Sequence, residues 1–230
     1  MEKIDSSRLL KNLKEIKLKH YQRMIPITTM GIIYSCLTTP TKDEDLNEFL
    51  QSLEKDLKKI GIGVDNYLFG SLLITSITEV ELFLTDTLYC IIKTFPKKIK
   101  NMKFDYNDII DKSNDELIQL ASQRYINELM YKKPIEYLES FCQIASIDPT
   151  RIMVYWPAFI EAKARRDLGI HNNWTANEVY LKKLKEVKLD SRFSLGESAY
   201  PDNTYVGRVH DNSVALIESL DEALVAKYGS

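Results

Sequence analysis

The spacing of apolar residues between Asp43 and Ile60 sets the first limit on how this chain folds. Leu46, Phe49, Leu50, Leu53, Leu57 and Ile60 recur at intervals of three and four, the repeat of a single helix face, and Gly61 stops the run. Other long stretches rich in Leu, Ile, Lys and Glu follow the same habit. With only 8 Gly and 7 Pro, the chain lacks the turn residues that a loop-rich β protein needs. The expectation is an all-α antiparallel helical bundle.

Local signals place its pieces. Residues 3–22 carry Leu10, Leu13, Leu18 and Tyr21 among lysines and read as an amphipathic helix. Residues 25–37 are apolar and β-branched, with Pro26 and Gly31, and fit no single type. Thr39-Pro40-Thr41 breaks the chain, and Gly61-Ile62-Gly63 is a turn without the lysine of a phosphate loop. Asp65 can cap a helix running to Lys93, which Phe95-Pro96 ends. Lys97, Lys98, Lys100 and Lys103 form a basic connector.

Ser113 and Glu116 make a capping box for a helix to Tyr131. Pro134 opens a helix to Ala145, Asp148-Pro149 breaks again, and Pro157 begins a helix that ends near His171. Thr175 and Glu178 form a second capping box, for a lysine-rich helix to Val187. Residues 190–210 look irregular, with a short strand or hairpin near Tyr205-Val206. Asp211 or Asn212 then caps a last helix through Leu216, Leu220 and Leu224. The division expected is an N-terminal helical extension, 1–60, packing on a helical domain, 61–230.

Composition narrows the function classes. At 230 residues and 44% hydrophobic the chain can bury a full core, and its net charge of −2 rules out a polycation. Any nucleic-acid contact must therefore come from a local basic patch. Cys36, Cys90 and Cys142 are widely spaced, which suits buried reduced thiols in a cytoplasmic protein better than a disulfide framework. The three histidines lack metal spacing, so neither a metal nor a cofactor is expected. Residues 72–92 are apolar but interrupted by Thr75, Glu79, Glu81 and Asp86, the pattern of a buried helix and not of a membrane span.

The densest chemistry lies in Glu161-Ala-Lys-Ala-Arg165-Arg166-Asp167-Leu-Gly-Ile-His171-Asn172-Asn173. Asp167 and His171 are four apart, on one helix face within side-chain reach. A carboxylate there can fix the imidazole tautomer, which suits proton transfer near neutral pH. Arg165 and Arg166 supply permanent charge of the kind that clamps a phosphate. On an ideal helix Arg166 and His171 differ by about 140° in azimuth, so spacing alone does not join them. The plainer reading is a surface helix with salt bridges, since Glu161 and Arg165 are also four apart.

Arg166-Asp167-x-x-x-His171 resembles the Arg-polar-x3-His signature of the HEPN superfamily (higher eukaryotes and prokaryotes nucleotide-binding). Ser76-Ile-Thr-Glu79-Val-Glu81-Leu-Phe83-Leu-Thr-Asp86 resembles the family's early acidic-aromatic helix, and Asn177-Glu178-Val-Tyr180-Leu181 the free-standing bacterial branch. The similarity spans residues 65–190. One departure is Asn173, where some branches carry a tyrosine two residues past the histidine.

The resemblance implies a HEPN-type bundle and a metal-independent endoribonuclease working as a homodimer, such as a toxin or antiphage effector. A cognate antitoxin or other defence-system protein would be a further partner. Arg166, His171 and Asp167 would be catalytic, with Arg165, Asn172 and Glu79 in support. Lys182 and Lys183, with Lys185 and Lys188 beyond them, could follow an RNA backbone or merely face solvent. Trp174 and Tyr180 could stack a base, although such aromatics more often anchor helix packing. His20 and His210 read as ordinary. The alternative is a noncatalytic HEPN module that binds RNA, a nucleotide or a protein.

Overall fold

The computed structural model describes residues 2–38, 44–59, 64–100 and 102–229. The expected breaks at 39–41 and 61–63 lie outside them, as do the side chains of Cys36, Leu46, Leu50, Leu53 and Leu57. Among the described residues the chain is all-α, with no strand. Its α-helices are α1 (Glu2–Thr38), α2 (Glu44–Lys59), α3 (Val64–Thr94), α4 (Tyr106–Ile109), α5 (Asn114–Met130), α6 (Pro134–Ala145), α7 (Trp156–His171), α8 (Glu178–Glu186) and α9 (Asn203–Tyr228).

Several of these follow from local chemistry. Ser113 caps α5 with both arms of the capping box in place. Pro134 occupies the first turn of α6, and Ser146, left-handed at φ 55°, ends it. Other boundaries move. α1 continues through Pro26, because Met24 and Ile27 on either side are buried and tertiary packing outweighs one lost backbone hydrogen bond. α3 already includes Asp65, which is therefore not its cap. α9 starts at Asn203, so Tyr205-Val206 is helical, and Asp211 and Asn212 are interior. The physical reason is a buried stripe, Tyr205, Val206, Val209, Ser213, Leu216 and Leu220, that keeps helical spacing throughout.

Two compact units emerge from the contacts. One comprises residues 1–20, 80–156 and 215–230; the other comprises 21–79 and 157–214. In the first, Trp156 donates its indole N–H to the Pro134 carbonyl at 2.9 Å, and Tyr228 donates its hydroxyl to the Ala145 carbonyl at 2.8 Å. Lys98 caps the end of α6 through the Ile144 carbonyl at 2.7 Å and the Ser146 hydroxyl. In the second, α8 and the segment after it close on α7 through Ala164, Leu168, Ala176, Tyr180, Leu184 and Ala199.

α3 has the length and hydropathy to cross a bilayer, but half of that stretch is buried within the fold. Cys90 and Cys142 are buried free thiols, and burial pushes Cys142 up to about 12, far from a reactive thiolate.

Candidate functional site

The motif lies on α7, whose Phe159, Ile160, Ala162, Ala164 and Leu168 are buried. That inward face carries Arg165 with it, only 5% exposed. Its Nε donates to the Ala199 carbonyl at 2.7 Å and its Nη2 to the Tyr200 carbonyl at 2.9 Å. The guanidinium stacks on Tyr205 and Phe193, 3.8 and 4.7 Å from their ring centroids. Glu161, 4.0 Å away, accepts hydrogen bonds from Tyr180 at 3.0 Å and from Tyr205. Burial and the Glu161 charge together push both phenols well above their ordinary range. Arg165 thus ties the 193–205 segment to α7.

The next two residues turn the other way. Asp167 divides its carboxylate between two cations: Oδ1 lies 3.0 Å from Arg166 Nε, and Oδ2 accepts from Lys183 Nζ of α8 at 2.9 Å. The side chains of Lys183 and Asp167 are about one-third exposed, and that of Arg166 is 13% exposed. His171, at the end of α7, is exposed, and its imidazole makes no hydrogen bond or ion pair among the described residues. Asp167 and His171 share a helix face, but the carboxylate engages Arg166 and Lys183.

Immediately after His171 the chain folds into a tight clasp. The Leu168 carbonyl accepts from Asn172 N–H at 2.8 Å and from Trp174 N–H at 3.0 Å. Asn172 Nδ2 donates to the Thr175 carbonyl at 2.6 Å, so this amide builds the turn. Asn173 and Trp174 are both left-handed, at φ 45° and 58°, a strained state for tryptophan.

The indole is held by shape. A Cβ on Gly169 would come within 2.3 Å of it, and one on Gly70 within 2.8 Å. Thr175 pairs with Ser198 in an isolated antiparallel bridge, and α8 begins only at Glu178, so Thr175 lies two residues too early to cap it. Asn177 takes that role, accepting from Tyr180 N–H at 2.9 Å. The expected irregular segment before the last helix is therefore pinned to the motif turn.

Of the remaining candidates, Glu79 meets Arg23 at 3.8 Å and Lys182 is exposed. Trp174 and Tyr180 are packing residues, both buried. Two features were missed in the sequence. Lys183 joins Asp167 from sixteen residues away, and the only advance signal was a basic helix following the motif across a short turn. His20 is wholly buried, with Nε2 3.2 Å from Asp86 Oδ2 and its ring edge-to-face with Phe83. Among the described residues no group of three or more His, Cys, Asp or Glu is placed to hold a metal ion.

The site brings together Arg166, Asp167 and Lys183, with His171 one helical turn beyond Asp167. Paired cations of this kind can hold a phosphodiester, and an accessible imidazole can exchange a proton with one. No family model, curated protein or solved structure matches the chain.

Proposed function

We propose that this protein is a HEPN-type, metal-independent endoribonuclease that acts as a homodimer. The observation that carries this reading is an exposed His171 one turn beyond the cation-flanked carboxylate of Asp167. In the reaction, a base removes the proton of a ribose 2′-hydroxyl, and that oxygen attacks the adjacent phosphorus. The bond to the 5′-oxygen breaks, the leaving oxygen takes a proton, and the products are a 2′,3′-cyclic phosphate and a 5′-hydroxyl. His171 performs one transfer and the same residue of a second copy the other. Arg166 offsets the charge that accumulates on the phosphorane.

His171→Ala and Arg166→Ala should each lower cleavage of single-stranded RNA at least about a hundredfold in EDTA. DNA should resist, since it lacks the attacking hydroxyl. Undiminished cutting by either purified, folded variant would falsify the assignment.

A second reading has its own support. One chain presents a single imidazole at this site, and Asn172 is engaged in the turn, which suits a noncatalytic module that binds RNA. A wild-type protein that binds RNA and leaves it intact would select that module. As a toxin or antiphage effector, the active protein should arrest growth on expression, and His171→Ala should relieve it.

A further inference from the structure

We infer that Lys183 is the second phosphate-binding cation of this site and that Asp167 is its positioning residue, not the orienting partner of His171. The inference rests on the RNA-directed function proposed for the site and assigns the site's charge to two helices.

One carboxylate oxygen of Asp167 accepts a hydrogen bond from Lys183 of α8 at 2.9 Å, and the other lies 3.0 Å from Arg166 Nε of α7, an ion contact without hydrogen-bond alignment. A lysine side chain has several rotatable bonds and loses rotamer freedom when fixed. An acidic anchor that removes this freedom beforehand leaves less to lose when a ligand arrives. The ammonium has three donors; Asp167 takes one, and the side chain is 34% exposed, so donors remain for a phosphate oxygen.

Helix geometry relates the anchor of that charge to His171. Residues four apart on a helix have Cβ atoms about 6 Å from one another, so His171 begins one turn from the carboxylate that holds Lys183. A phosphodiester bridges such a gap. The trio Arg166, Asp167 and Lys183 carries a net charge of +1 and still attracts an anion. An unanchored Lys183 would leave the same total charge, but spread over the reach of a mobile side chain.

This differs from a diffuse basic face. Lys182 and Lys185 on the same helix are exposed, and neither is held by Asp167. It also differs from a purely structural ion pair, which would affect melting and not the ionic-strength dependence of RNA binding.

The test uses the full chain and a single-stranded 2′-O-methyl oligonucleotide, which cannot be cleaved, in an anisotropy titration over a salt series. Lys183→Met should weaken binding about fivefold at low salt. It should also reduce the slope of log affinity against log salt by about 0.7, the value for one contact on a single strand. Lys183→Arg should restore most of both, and Lys112→Met, an equal charge change on an exposed lysine, should alter neither. Asp167→Asn combined with Lys183→Met should be no weaker than Lys183→Met alone, because the two residues act as one unit.

A Lys183→Met slope equal to that of Lys112→Met overturns the inference. So does full additivity of the Asp167 and Lys183 changes. Wild-type protein that binds the probe but leaves the all-ribose strand intact removes the nuclease reading alone, and the slope still decides the role of Lys183. Protein that does not bind the probe at all removes both.

Discussion

Two histidines of this protein occupy opposite physical situations. His20 is fully buried, with Asp86 on its Nε2 and Phe83 against its ring edge. His171 ends its helix exposed, with no hydrogen-bonding partner among the described residues. The carboxylate–imidazole contact expected at the motif is found instead in the α1–α3 packing, on a residue whose sequence surroundings look ordinary. A buried polar group must be hydrogen-bonded to be tolerated, so the His20 pair is explained by the fold it stabilises. The exposed His171 is not accounted for in that way, and its ring is open to solvent.

The same contrast recurs between adjacent arginines, and there it is easiest to break. Arg165 is stacked between aromatics and donates to two backbone carbonyls, whereas Arg166 faces Asp167. Arg165→Met leaves Glu161 without its cation and frees the 193–205 segment. It should cost about 3–5 kcal/mol, the scale for breaking a buried pair. That corresponds to a melting drop on the order of 10 °C for a chain of this size. His171→Ala should change stability by less than about 0.5 kcal/mol, as exposed positions do. Comparable melting losses for the two in thermal denaturation would erase the distinction between scaffold and site.

The clasp after His171 offers a sharper cut, because it is scaffold that touches the site. Gly169→Ala drives a methyl group into the Trp174 indole and should destabilise by about 1–3 kcal/mol, the usual range for overpacking. Gly169→Ala paired with Trp174→Leu should recover part of that loss, since the smaller side chain makes room. If the paired variant is as unstable as the sum of the two single changes, then the two residues do not share one packed seat.

The parts of this arrangement readable in advance were those set by neighbours along the chain. Ser113 and Glu116 lie three apart and close their box on each other, and Pro134 needs only its own ring to begin α6. The motif's place on the last turns of one helix was likewise local. What escaped reading depended on distant partners. Thr175 has the sequence of a cap, but it is paired with Ser198 and α8 starts later, behind Asn177. Asp167 has the spacing to reach His171, but Lys183 arrives from α8. The α9 boundary was hidden because Tyr205 is buried by contacts no window of sequence contains.

The smallest effect returns to His20. Burial alone would raise the Asp86 pKa, but hydrogen bonds and charge from Lys19 and His20 outweigh it and hold the carboxyl below its ordinary value. A carboxyl depressed in the folded state contributes stability above its unfolded pKa, about 3.9 for aspartate. That contribution is lost as pH falls through the lower, folded value. Asp86→Asn should therefore cost about 1–2 kcal/mol at neutral pH, where the ionised group is fully engaged. The gap from wild type should narrow steadily below about pH 4, as wild type surrenders the same contribution. The check is a melting series from neutral to strongly acidic pH on both proteins. A gap that stays constant across the acidic range would mean the carboxylate's charge does no stabilising there. The cost of Asp86→Asn would then come from hydrogen bonds to Lys19 and His20 that a neutral carboxyl keeps and the amide fails to make.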